Sequence, residues 1–242
     1  MRLLSWIDPY KLTWKGLSRN PNAIDMLESN PSKIDWTRVW CNPNAMHILH
    51  SLKKTKADWY RLNMNPSAMY LLERNPSKID LTALSSNTAP EAIAILERNL
   101  EHACWPSLFS NPSAMHIIRK YNTDNYFACL CNNPAAIDLI EANHDKIDWK
   151  WLALNPAAIH LIERNLHLFD NDCWLALSQN PAAIHILEAN RNKISWSHLS
   201  ANPAIFEPEL PKPPVYAEEL VQTVFNPGRI VRMGGPDWVE CV

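Results

Sequence analysis

An asparagine recurs along this chain at a spacing that an ordinary single-core domain would not impose. Asn20, Asn42, Asn65, Asn87, Asn111, Asn133, Asn155, Asn180 and Asn202 stand 22, 23, 22, 24, 22, 22, 25 and 22 residues apart. Proline follows directly in eight of the nine; the exception is Asn87-Thr88-Ala89-Pro90, a two-residue insertion. Self-similarity at such a period marks a repeat architecture, in which one supersecondary unit is copied and stacked. The clearest copy runs Asn133-Pro134-Ala135-Ala136-Ile137-Asp138-Leu139-Ile140-Glu141-Ala142-Asn143, then His144-Asp145-Lys146-Ile147-Asp148-Trp149-Lys150-Trp151-Leu152-Ala153-Leu154.

Each half of the unit reads as helix. Asparagine before proline is an N-cap followed by a proline at the first helical position, where the missing N–H costs nothing. Ala136, Ile137, Leu139 and Ile140 then form a helical stripe. A second asparagine (Asn30, Asn75, Asn99, Asn143, Asn165, Asn190) closes this helix. Asparagine tolerates the left-handed C′ conformation, which would let a chain with only 4 glycines turn so often. In the second half, Asp35, Asp58, Asp80 and Asp148 are placed as N-caps. An aromatic slot follows at Trp14, Trp36, Trp59, Leu81, Trp105, Phe127, Trp149, Trp174 and Trp196. Three residues later comes Leu17, Val39, Leu62, Leu84, Leu108, Leu130, Leu152, Leu177 or Leu199, on the same face of a short α or 3-10 helix. A strand along Lys-Ile-Asp-Trp is the alternative, opposed by 19 prolines and the lack of clean alternation.

Such a unit cannot stand alone. About six large apolar side chains contribute roughly 1.5–3 kcal/mol each on burial. Ordering the backbone costs about 1–2 kcal/mol per residue. Stacked units share their faces, so the expectation is an all-α fold, an α-solenoid of about nine units of 22–25 residues. At helix-packing distances it would form a rod or arc on the order of 80 Å long. Residues 8–17 read as a second half-unit and 202–208 as a first half-unit stopped by Pro208, both as end caps. Composition changes near residue 207, dividing the chain into a solenoid over 1–206 and a Pro-rich arm over 207–242. In the arm, 207–216 reads as polyproline II and 217–225 as one short helix. Pro211, Pro213, Pro214, Tyr216, Phe225 and Trp238 are its candidate partner contacts.

The net charge of −2 removes the usual reason to expect nucleic acid as a partner. No apolar run approaches the roughly 18–20 residues of a membrane span, and the first residues lack the apolar core of a signal peptide. The six cysteines (Cys41, Cys104, Cys129, Cys131, Cys173, Cys241) follow no zinc spacing and read as free thiols in a reducing compartment. His47, His116, His160 and His185 share one slot with Asp25, Tyr70 and Asp138, which reads as solvent-facing. Histidines a helix-packing distance apart cannot share a zinc ion. Glu28, Glu73, Glu97, Glu141, Glu163 and Glu188 form a second ladder without a unique pocket to tune a pKa. The tryptophans could stack on bases, but their spacing from a leucine assigns them to the core. No nucleophile elbow, zincin motif or phosphate loop is present, so no catalytic, cofactor or metal site is expected.

The unit, nearly verbatim in 68–80 and again in 181–200, resembles a repeat of nucleocytoplasmic large DNA viruses, the giant and algal viruses. The resemblance covers about residues 8–206; residues 51–56 and 119–126 depart from it, and the arm lies outside it. It implies a virus-encoded chain made in host cytoplasm. The expectation is a non-enzymatic minor capsid protein in the virion, bridging capsid proteins of the same particle. The competing expectation is a soluble adaptor that captures a host protein on the solenoid's concave face.

Overall fold

Each Asn-Pro pair opens a 3-10 turn, and the α-helix begins only after it. In the computed structural model, which describes residues 1–51, 57–121 and 124–208, the unit that starts at Asn133 has four parts. Its 3-10 helix Pro134–Ala136 leads into the α-helix Ile137–Ala142, then the 3-10 helix His144–Lys146 and the α-helix Trp149–Leu152. Asn133 lies in the extended region and its Oδ1 accepts the N–H of Ala135 at 2.9 Å, so the asparagine caps the tight turn. This pattern recurs through 17 α-helices among the described residues, the longest being the eight residues Pro90–Glu97. The structure is an all-α repeat. The Lys-Ile-Asp-Trp stretches hold no strand: Ile34, Ile79 and Ile147 are single extended residues between a 3-10 turn and an aspartate-capped helix. Asp35, Asp58, Asp80 and Asp148 each accept amides of the first turn, as expected.

The asparagines that close the longer helices are not left-handed. Asn30, Asn75, Asn99, Asn143, Asn165 and Asn190 have φ of −137°, −133°, −142°, −129°, −124° and −126°. Their side chains stop the helix. Each Nδ2 donates to the carbonyl four residues back at 2.8–3.0 Å, satisfying an acceptor the helix leaves open. A backbone excursion is therefore unnecessary.

The core is one continuous cluster. The leucine slot is fully enclosed at Val39, Leu84, Leu108, Leu130, Leu152, Leu177 and Leu199, and the longer helices add Leu27, Leu72, Leu96, Ile140, Ile162 and Leu187. Trp14, Trp36, Trp59, Trp105, Trp149 and Trp196 pack half-buried against this cluster. Remaining faces of two of them take cations, Lys33 over Trp14 and Lys11 over Trp196, both at 5.0 Å, and Lys193 lies 4.6 Å over the buried Trp174. The aromatic slot is core.

The nine anchor asparagines are all buried. Each Nδ2 donates twice across a joint, to the carbonyl of the preceding anchor and to that of the residue two positions before it, as in Asn155 to Asn133 (3.1 Å) and Cys131 (2.9 Å). With Oδ1 on its own turn, each amide has both donors and an acceptor engaged, which a buried amide requires. The ladder does not end. Asn20 donates to Asn202 at 2.8 Å and to Ser200 at 3.1 Å, as Asn42 does to Asn20 and Ser18.

The residues from Met1 to Glu207 therefore form a closed ring of nine units rather than a rod or arc with capped ends. The two half-units complete each other: the helix Trp14–Leu17 packs on Trp196–Leu199. The hydrogen bonds of an internal joint recur at this seam. The Thr13 N–H donates to Ser200 Oγ (2.8 Å), as Asp35 does to Ser18 (2.9 Å). Asn22 Nδ2 reaches the Pro203 carbonyl as Asn44 reaches that of Pro21, both at 2.9 Å. Lys11 lies 5.0 Å over Trp196. A short antiparallel pair, β1 (Arg2–Leu3) with β2 (Phe206–Glu207), is added outside the repeat pattern, with an Arg2–Glu207 ion pair of 2.9 Å. Gly16 stands at a close approach of the seam: a Cβ there would meet Ser200 Cβ at 2.4 Å and the Ser197 carbonyl at 2.8 Å. The chain's second unit, Pro208–Val242, lies outside the described residues except for Pro208.

Candidate functional site

The histidine slot is exposed and engaged. His47, His116, His160 and His185 each place Nε2 2.7–2.8 Å from a glutamate of the preceding unit, respectively Glu28, Glu97, Glu141 and Glu163. Where the unit departs from the pattern, Arg119 reaches Asp138 at 2.7 Å and Lys146 reaches Asp124 at 2.7 Å. The two ladders read from the sequence thus meet in four of the joints, while Glu188 pairs within its own unit with Arg191 at 3.1 Å. Such exposed pairs contribute little stability individually.

The six candidate partner contacts, Pro211, Pro213, Pro214, Tyr216, Phe225 and Trp238, lie outside the described residues. A different set of positions faces the ring axis. The residue before each anchor lies one or two positions past the end of a short helix, and this slot holds Arg19, Cys41, Met64, Ser86, Ser110, Asn132, Leu154, Gln179 and Ala201. Arg19, Met64, Ser86, Ser110 and Asn132 come from different units yet line one cavity of about 540 Å³, together with Trp151. Beside it Lys15, Arg19, Arg38, Gln179 and His198 line a smaller cavity of about 260 Å³ at the seam. Trp151, Leu154 and Leu175 form an apolar wall next to both. The axis was missed in the sequence, although a signal was present: the slot adjoining the repeated asparagine changes from nearly every unit to the next.

The described cysteines are free thiols. Burial pushes the Cys41, Cys129 and Cys131 thiols up, and burial with the Asp170 contact pushes Cys173 up to about 11. Cys129 and Cys131 sit on one inner helix, Cys131 fully enclosed. In Cys41 the effect of burial is opposed by the nearby guanidinium groups of Arg19, Arg61 and Arg38. Among the described residues no group of three or more His, Cys, Asp or Glu is placed to hold a metal ion, and no helix is long and apolar enough to cross a membrane. Compared with protein-family models, curated proteins and solved structures, the chain finds no match.

Proposed function

We propose that the chain is a non-enzymatic structural and interaction protein, a minor capsid component that contacts capsid proteins of the same large DNA virus particle. One observation supports the interaction role: the side chains most suited to chemistry are occupied in joints. The anchor asparagines bind neighbouring carbonyls, the slot histidines bind glutamates, and Ser18, Ser85, Ser178 and Ser200 accept the next unit's amide. The capsid role rests on the resemblance of the repeat to those of large DNA viruses. The contact itself takes a different form from a spanning rod. A ring offers two rims, an outer wall and an axis. Capture of a folded host domain on a concave face fits this geometry poorly, because the cavities on the axis are of about 250–540 Å³ each.

Proteomics and cryo-electron microscopy of purified particles test the proposal. It expects the chain at fixed stoichiometry against the major capsid protein, with ring-shaped density beneath or between capsomers. Absence from particles, with a stoichiometric host partner in cytoplasmic pull-downs, replaces it with the adaptor reading.

A further inference from the structure

We infer that the seam cavity on the ring axis binds a compact oligophosphate group. Lys15 leaves one inner helix, Arg19 the turn that follows it, and Arg38 the next inner helix, and all three line the cavity. Gln179, Ser197 and His198 face them across the seam. No carboxylate lines this cavity. Convergence on one hollow without a counter-charge carries the argument. Arg61, Arg119, Lys146, Lys150 and Arg191 are each paired with an aspartate or glutamate. Lys15, Arg19 and Arg38 have no carboxylate within ion-pair distance among the described residues, although they converge on one hollow. Asp35, the N-cap of the helix that carries Arg38, is turned to that helix, where it accepts the Thr37 and Arg38 amides and the Thr37 hydroxyl.

Three convergent cations raise a positive potential that a low-dielectric wall focuses. Guanidinium groups present forked donors that match phosphate oxygens, and the lysine adds a point charge. Serine and glutamine supply neutral donors. The volume of about 260 Å³ exceeds what one phosphate fills, and Arg19 also borders the larger axial cavity with Trp151. A chain of two or three phosphates, bare or carried on a nucleoside, fits this shape and charge. The site is built from side chains, so it needs no glycine-rich loop, and the inference is independent of the capsid role.

Isothermal titration calorimetry of the full chain at low salt tests it, with sodium tripolyphosphate, ATP and citrate as probes. Binding of tripolyphosphate or ATP is expected in the micromolar range, at least tenfold tighter than citrate; the ranking of the first two tells whether the phosphates come bare or on a nucleoside. The pair Arg19→Gln with Arg38→Gln should weaken binding at least tenfold. The control pair Arg74→Gln with Lys120→Gln, which removes the same charge elsewhere, should change it less than twofold. Lys15→Gln alone reads the same site should the double variant lose its fold by circular dichroism. No binding to the native chain, citrate binding equal to tripolyphosphate, or equal weakening by both pairs overturns the inference.

Discussion

Replacing Asn20 by alanine separates a ring from a rod. In an open solenoid the first anchor lies at a fraying end, and losing it frees one terminal unit at little cost. In the ring Asn20 is as internal as Asn155. Its amide makes bonds of 3.1 and 2.8 Å across the joint, to Ser200 and Asn202, and accepts the Asn22 N–H at 2.9 Å. Asn155 makes the same three, at 2.9, 3.1 and 2.9 Å. After either substitution one anchor carbonyl keeps a turn bond, from Ile205 or Ala136. The other carbonyl, of Ser200 or Cys131, and one turn amide lose their partners. At about 1–3 kcal/mol per buried orphaned group, with partial relaxation, each substitution should cost about 2–5 kcal/mol. For a ring of this size that lowers Tm by about 4–20 °C. Calorimetry and urea unfolding of Asn20→Ala beside Asn155→Ala measure both. The two losses should agree within about 1 kcal/mol, the scatter expected from context. A Tm for Asn20→Ala within about 1 °C of the native chain, beside a large loss for Asn155→Ala, would refute closure.

Gly16→Ala forces a Cβ into Ser200 Cβ and the Ser197 carbonyl, so it should destabilise by about 1–3 kcal/mol; small-angle scattering should report a partly opened particle, whereas an unchanged Tm would mean that the seam is looser than described. The Cys173 amide holds the Asp170 carboxylate below its ordinary pKa, and Arg119 does so for Asp138. Groups whose folded pKa is depressed stabilise the fold above the unfolded value, and the contribution is lost as pH falls through the folded one. Stability should therefore be flat above about pH 5 and decline below about pH 4, with Asp170→Asn showing a shallower decline in pH-dependent urea melts. With their thiols pushed up, Cys41, Cys129, Cys131 and Cys173 should alkylate at pH 8 at least tenfold more slowly in the native chain than in urea; site-resolved mass spectrometry gives each rate, and equal rates would contradict the burial described. Ending the chain after Pro208 should leave Tm within about 2 °C of the full chain, because the seam bonds described join residues between Arg2 and Glu207.

The period, the aspartate caps and the leucine column were legible because each depends on residues within one unit. The asparagine at the end of each longer helix was misread because backbone conformation and side-chain bonding compete there. Asn143 could have turned left-handed, but its Nδ2 reaches the Leu139 carbonyl at 2.9 Å without doing so. The histidine ladder was placed correctly on the surface. Its glutamate partners lie 19 residues back in three pairs and 22 in the fourth, a register visible only once the units are stacked. Closure was least legible, because it depends on the sum of nine small rotations and no single unit encodes that sum. Two signs were nonetheless on the page. The chain opens with a second half-unit and closes with a first one, so the two halves make a whole. Gly16 is the one glycine within the repeats, and it sits where Ser197 and Ser200 leave no room for a Cβ.

Closure also changes what the repeats can do. Joining the ends of a flexible chain across the 182 residues from Asn20 to Asn202 would cost about 4.6 kcal/mol in loop entropy. Here the eight preceding joints already hold the ends near each other, so that figure is an upper bound. Against it the seam supplies a complete joint and a strand pair without a single added residue in the repeat. The ring consequently has no terminal unit from which to fray, and its first break on heating must open an internal joint. It also has no free end on which another solenoid could stack. Recognition by the described residues must then use the rims, the wall or the axis. Of these the axis alone gathers the non-repeating slot of many units into one small volume. Asparagine, leucine and tryptophan, the same in nearly every unit, build the scaffold; Arg19, Met64, Ser86, Asn132 and Trp151, each different, make the axial surface that distinguishes this ring from any other closed by the same rules.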